Sequence, residues 1–105
     1  MTESQEVFLK QVSSFNNKFD QILENGEQVF IGWPFWSWES IQTGLESREE
    51  WEVPSNLVPF LGDWHDLYCL NPETNQIIAI DDERTTVCVW DSPSLFISSL
   101  SKEVE

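Results

Sequence analysis

A chain of 105 residues that is 40% apolar and 13% aromatic has the makings of one globular domain with its own core, and this excludes a disordered tail or a disulfide-stapled miniprotein. Nineteen acidic side chains against five Lys and Arg give a net charge of −14. That surface repels nucleic acid and anionic membranes, both of which are bound through Lys and Arg, so neither is expected as a partner.

The start, Met1-Thr2-Glu3-Ser4, is polar and acidic and predicts no signal peptide. No apolar run approaches the ~20 residues needed to cross a bilayer. Cys69 and Cys88 fall inside strand-like runs, where free thiols act as small buried hydrophobes. Together these features predict a reducing, cytoplasmic setting. A disulfide between neighbouring strands is the alternative reading.

Phe8, Val12, Phe15, Phe19 and Ile22 recur at helical spacing, with Val7 and Leu23 widening the stripe, so a helix is expected over 4–25. Asn25-Gly26 is expected to cap it. A strand follows over 28–32, halted by Gly32 and Pro34. Trp33-Pro34-Phe35-Trp36-Ser37-Trp38 then reads as a loop leading into a helix over 38–48, capped by Ser37 or Ser40. Trp38, Ile41 and Leu45 share its apolar face, and Gly44 weakens its middle by roughly 1 kcal/mol relative to Ala.

Strands are expected over 56–61, 65–71, 76–81 and 86–90. Asn71-Pro72-Glu73-Thr74-Asn75 and Glu83-Arg84-Thr85 supply turns. Ser92-Pro93 opens a last helix over 93–102. The whole reads as an α+β domain spanning 1–105, a mainly antiparallel sheet of four to five strands with helices packed on one face.

Catalytic chemistry finds little purchase here. His65 is the single histidine, and no Cys-x-x-Cys or His-x-x-x-His spacing accompanies it, so no metal site, cofactor or catalytic residue is expected. Consecutive acids at Asp81-Asp82-Glu83 lack the alternation and glycine of a calcium loop. A Gly-rich phosphate loop is also missing. The chain reads as a binding protein and not an enzyme.

The acids gather into runs: Glu46-Glu49-Glu50-Glu52, then Asp63-Asp66, then Asp81-Asp82-Glu83 with Asp91. Trp36, Trp38, Trp51 and Trp64 interleave with the first two. Aromatic anchors in an acidic field suit a basic protein, steered in by charge and held by desolvated contacts. The partner-binding candidates are therefore Trp36, Trp38, Glu46, Glu49, Glu50, Trp51, Asp63, Trp64, Asp66, Asp81, Asp82 and Glu83. A plainer reading stands beside this one. The tryptophans fill the core with their N–H groups bonded, and the acids keep an aromatic-rich chain dissolved. Nothing in the sequence specifies an oligomeric state.

Several of these residues also carry a resemblance. Pro59-Phe60, the Gly62-Asp63 loop, Asp66-Leu67-Tyr68-Cys69-Leu70, the strand running into Asp81-Asp82, and Ser92-x-x-x-Phe96-Ile97 resemble the C-terminal half of the SUKH superfamily. Asn25-Gly26 is similar to the Asn-Gly that ends the main helix of that family, whereas its N-terminal helix and Leu-Pro step are not visible here. The superfamily joins bacterial toxin-immunity proteins with yeast regulators of cell-wall synthesis. The resemblance implies a short immunity protein of bacterial competition that neutralises a cognate, nuclease-type toxin by direct binding. The other function it implies is a regulatory or chaperone-like interaction module without a toxin.

Overall fold

The computed structural model describes residues 2–15, 19, 21–30, 35–63 and 65–101. Its first helix, α1, spans Glu3–Ser13. Thr2 and Gln5 form a capping box, the Gln5 N–H donating to Thr2 Oγ1 and the Thr2 N–H to Gln5 Oε1. The same Gln5 donates through Nε2 to Pro72 O at 2.9 Å, pinning the helix start to a distant turn.

The helix expected over 4–25 is thus half its anticipated length. Ser13 and Ser14 turn their hydroxyls back to Lys10 O and Gln11 O, the competition with the helical ladder that makes Ser a helix terminator. Gln21–Glu24 forms a strand, β1, and Asn25-Gly26 is the turn that joins it to β2, Glu27–Phe30. Both turn residues have positive φ, 50° and 85°, as a tight two-residue hairpin requires. Asn25-Gly26 is therefore no helix cap. Phe8, Val12, Phe15 and Ile22 are buried all the same, the first two from the helix and Ile22 from the strand. Val7 and Leu23 do not widen the stripe: they are 58% and 45% exposed, Leu23 because strand alternation turns it away from Ile22.

The second helix, α2, spans Trp38–Glu46 with Ser37 as its cap. A meander follows: β3 (Val58–Gly62), β4 (Leu67–Asn71), β5 (Gln76–Ile80) and β6 (Thr86–Trp90), paired antiparallel in that order. The expected strands lie within two residues of these. Asn75 and Arg84 take left-handed conformations in the two turns. Helix α3 is Pro93–Ser98, shorter than the expected 93–102, because the chain then forms β7, Leu100–Ser101, beside β1. The second sheet is thus β2-β1-β7, and the α+β architecture has two antiparallel sheets, of three and four strands. Residues 16–18, 20, 31, 32 and 102 of the expected helices and strands, and 33–34 of the expected loop, lie outside the described residues.

The main core lies between the four-stranded sheet and α1 and α3, with β1 and Ile41 of α2 completing it. Its centre is aromatic: Phe60 and Phe96 meet edge to face at 5.4 Å, and Phe8 and Trp90 join them. The opposite face of the sheet carries Leu67, Cys69 and Ile80, covered by Val53 and Leu57 from the connection after α2. Cys69 and Cys88 therefore belong to different clusters, on strands separated by β5, and both are free thiols. The β6 strand is an outer edge, with Val87 and Val89 each 44% exposed. Asn25 Nδ2 donates to Val87 O at 2.9 Å, tying the small hairpin to that edge. No helix of the described residues is long and apolar enough to cross a membrane.

Candidate functional site

The connection between α2 and β3 passes over one end of the four-stranded sheet, and two arginines hold it there. Arg48 donates to Leu45 O, Ser55 O and Leu57 O. Arg84 donates from Nε and Nη2 to Trp51 O at 3.1 and 2.8 Å, and from Nη1 to Asp81 O. Both guanidinium groups donate to backbone carbonyls, and that of Arg84 ties the Trp51 main chain to the β5–β6 turn.

Trp36 arrives from the other side. Its N–H donates to Phe60 O, and its neighbour Phe35 bridges to Leu61, so residues 35–36 extend the outer edge of β3. Its indole Nε1 donates to Gly62 O at 2.9 Å, and its ring meets that of Trp51 edge to face at 6.1 Å. Gly62 has φ +110°, and a Cβ there would fall 1.9 Å from Asp66 O, so only glycine serves at this bend.

Beside these rings lies a groove of about 740 Å³. Ser40, Thr43 and Gly44 of α2 and Ser47 just beyond it line the groove together with Trp36, Trp51 and Asp63, the Trp36 ring packing directly against Gly44. Glu39 adds a second carboxylate to the lining. The volume suits a small ligand or a few side chains of a larger partner.

The acidic turns meet at the same end. Asp63 Oδ1 accepts from the N–H groups of His65 and Asp66, and Asp81 Oδ1 accepts from those of Glu83 and Thr85. Each aspartate thus shapes its own turn. Burial raises the Asp66 carboxyl above the usual range, the charges of Asp63, Asp82 and Asp81 add to this, and His65 opposes them. That mutual repulsion places the β3–β4 and β5–β6 turns in one negative field. Asp82 and Glu83 stand exposed at its rim.

The structure thus brings together Trp36, Trp51, Asp63, Asp66, Asp81, Asp82 and Glu83. It does not gather every candidate. Trp38 points to the core side of α2, half-buried, with Lys10 Nζ 5.0 Å from its ring centre. Glu46, Glu49 and Glu50 lie exposed at the end of α2 and in the turn beyond it, outside the groove lining. Trp64 lies outside the described residues. Sequence reasoning passed over Glu39, Gly44, Gly62 and Arg84. The signal for the α2 wall was present, since Ser37, Ser40, Thr43 and Ser47 recur at helical spacing opposite Trp38, Ile41 and Leu45.

Among the described residues no group of three His, Cys, Asp or Glu side chains stands close enough to hold a metal ion. Cys69 is sealed in the core, where burial pushes its thiol up to about 12 despite the nearby Arg84, far from the range of a working nucleophile.

The chain was compared with models of known families, with curated proteins and with solved structures. It matches none of them.

Proposed function

We propose that this protein binds a basic protein partner at the sheet end that carries the Trp36–Trp51 groove, and does no chemistry of its own. The observation that carries the reading is the convergence of two half-buried indoles, at 6.1 Å, with the carboxylate of Asp63 in one groove. The field of Asp66, Asp81 and Asp82 lies next to it. Charged rims set the encounter rate, while desolvated aromatic centres set how long a complex lasts.

The family resemblance supplies the biological half. The partner is a cognate toxin of the nuclease type, whose phosphate-binding surface is basic, and this chain neutralises it in the cytoplasm by direct binding. The decisive experiment pairs the chain with the product of the neighbouring gene. Co-expression should rescue growth of a host that this product kills, and the two proteins should co-purify. Replacing Asp82 and Glu83 by Ser should slow association and flatten its salt dependence, whereas Trp51→Ala should speed dissociation in a variant shown by circular dichroism to be folded. A neighbouring product that neither kills nor binds would falsify the immunity reading.

A further inference from the structure

On the face of the four-stranded sheet opposite the main core, the connection after α2 covers the β4 side. Val53 and Leu57 close over Leu67, Cys69 and Ile80, and Ile78 packs partly against that cluster. The β6 side is open. Cys88 and Trp90 point into the main core, so strand alternation sends Val87 and Val89 to the opposite face, where each is 44% exposed. The register sets Val89 beside Ile78, so three branched aliphatic side chains form one strip. Exposed acids stand at both ends of it: Asp82 and Glu83 in the β5–β6 turn, and Asp91 directly after β6.

We infer that this strip is a docking face for a basic amphipathic helix of the partner. The inference rests on the basic-partner reading above and adds a second surface to the groove, with Asp82 and Glu83 as the shared rim. A helix fits by size. The strip is two strands wide, about 10 Å, close to the diameter of a helix. The five residues of β6 run about 17 Å, the length of roughly 11 helical residues. The apolar stripe of such a helix covers Ile78, Val87 and Val89, while Lys or Arg near its ends meet Asp82, Glu83 and Asp91. A second copy of this chain is the wrong occupant. Each copy carries a net charge of −14, and pairing two such strips sets acids against acids at both ends. A strand added beside β6 fits no better, because Asn25 Nδ2 already donates to Val87 O at that edge, at 2.9 Å. The edge is held while the face stays open.

The test uses the full chain and an alanine-based peptide of about 14 residues, with leucines at helical spacing and lysines at both ends. Two control peptides carry glutamine in place of leucine, or glutamate in place of lysine. Binding is followed through the backbone amide signals of Ile78, Val87 and Val89 in two-dimensional NMR. The leucine–lysine peptide should shift all three saturably, with each control weaker by about tenfold or more. Val87→Thr combined with Val89→Thr keeps the branched shape that strands favour and leaves the charge unchanged, so the fold holds. It should lower affinity for the leucine–lysine peptide by about tenfold, through two methyl groups lost from the contact. Equal binding of the glutamine peptide, undiminished binding by the threonine variant, or shifts confined to the Trp36 and Trp51 indoles overturns the docking face. So does release of the Asn25 side-chain amide from its hydrogen bond, the mark of a strand added at the edge. Polylysine, measured in parallel at low and physiological salt, reads the acidic surface alone. If polylysine binds while the leucine–lysine peptide leaves β6 unmoved, the docking face falls and the basic-partner reading stands. If neither binds, both fall.

Discussion

The indole of Trp36 lies so close against Gly44 that a Cβ on this glycine would come within 2.8 Å of Cζ3 of the ring. The ring cannot easily withdraw, because its Nε1 is tied to Gly62 O. Gly44→Ala therefore sets two effects against each other. Alanine gains about 1 kcal/mol of helix propensity, while overpacking a fixed ring costs ~1–3 kcal/mol. The expected outcome is a net loss of stability in denaturant melts, with a change in tryptophan fluorescence as the ring shifts. A gain in stability with unchanged emission would show that the ring yields freely.

Arg84 is the strut under Trp51. Arg84→Lys keeps the charge but cannot reach Trp51 O and Asp81 O with the same fork of donors. We expect it to lose about 2 kcal/mol, the scale of charge-assisted hydrogen bonds, and to sharpen the Trp51 indole signal by freeing the loop. Equal melting midpoints for Arg84→Lys and the parent chain would dismiss the strut.

Alkaline pH should unfold this protein early. Burial pushes the Cys69 thiol from 9.0 up to about 12. The Tyr68 hydroxyl is raised as well, by burial first and then by its 2.6 Å hydrogen bond to the Glu24 carboxylate. In each case the unfolded chain gives up its proton at a lower pH than the folded one. Stability is then full below about pH 9 and falls as pH climbs toward 12. Cys69→Ala should cost ~1 kcal/mol at neutral pH through the lost packing, yet flatten the decline above pH 9. A parallel decline in the variant would assign the effect to Tyr68 and to Cys88, whose thiol is also raised by burial.

Asp66 offers the acid-side counterpart. Its carboxyl is raised by burial and by Asp63, Asp82 and Asp81, so its ionisation works against the fold. The contribution is favourable below the ordinary carboxylate range and is lost as pH rises through the raised value. Asp66→Asn leaves its backbone N–H free to keep the bond to Asp63 Oδ1. It should melt higher than the parent at pH 7, and added salt should help it less, because one of the repelling charges is gone. A lower melt at neutral pH would mean that the Asp66 carboxylate serves the turn in its charged form.

The meander was legible in the sequence because its signals are local: β-branched runs, an Asn-Pro turn, and a Ser-Pro helix start each act within a few residues. The N-terminal third was not. Phe8, Val12, Phe15, Phe19 and Ile22 satisfy a helical period, and that period concealed the Ser13-Ser14 stop and the Asn-Gly hairpin. Asn-Gly suits both a helix end and a tight hairpin, and the pairing of β1 with β2, to which β7 from the far end of the chain adds a third strand, makes it the hairpin. The groove was half legible. Aromatics and acids stood out by type, but their convergence depends on Arg84 reaching back to residue 51, a contact no periodicity announces.

The inward turn of the two arginines also shapes how copies of this protein treat one another. With those two half-buried cations bonded to carbonyls, the outer surface carries a large excess of negative charge, and each molecule keeps its neighbours at a distance. That charge guards the outer side of β6, where Val87 and Val89 are exposed and Asn25 Nδ2 holds Val87 O, an edge at which another strand could add if the hairpin let go. Acidification toward the isoelectric point of about 4.1 removes that charge without touching the edge. Turbidity and β-rich association should therefore appear there first, and a lysine placed at Val89 should suppress the association in full.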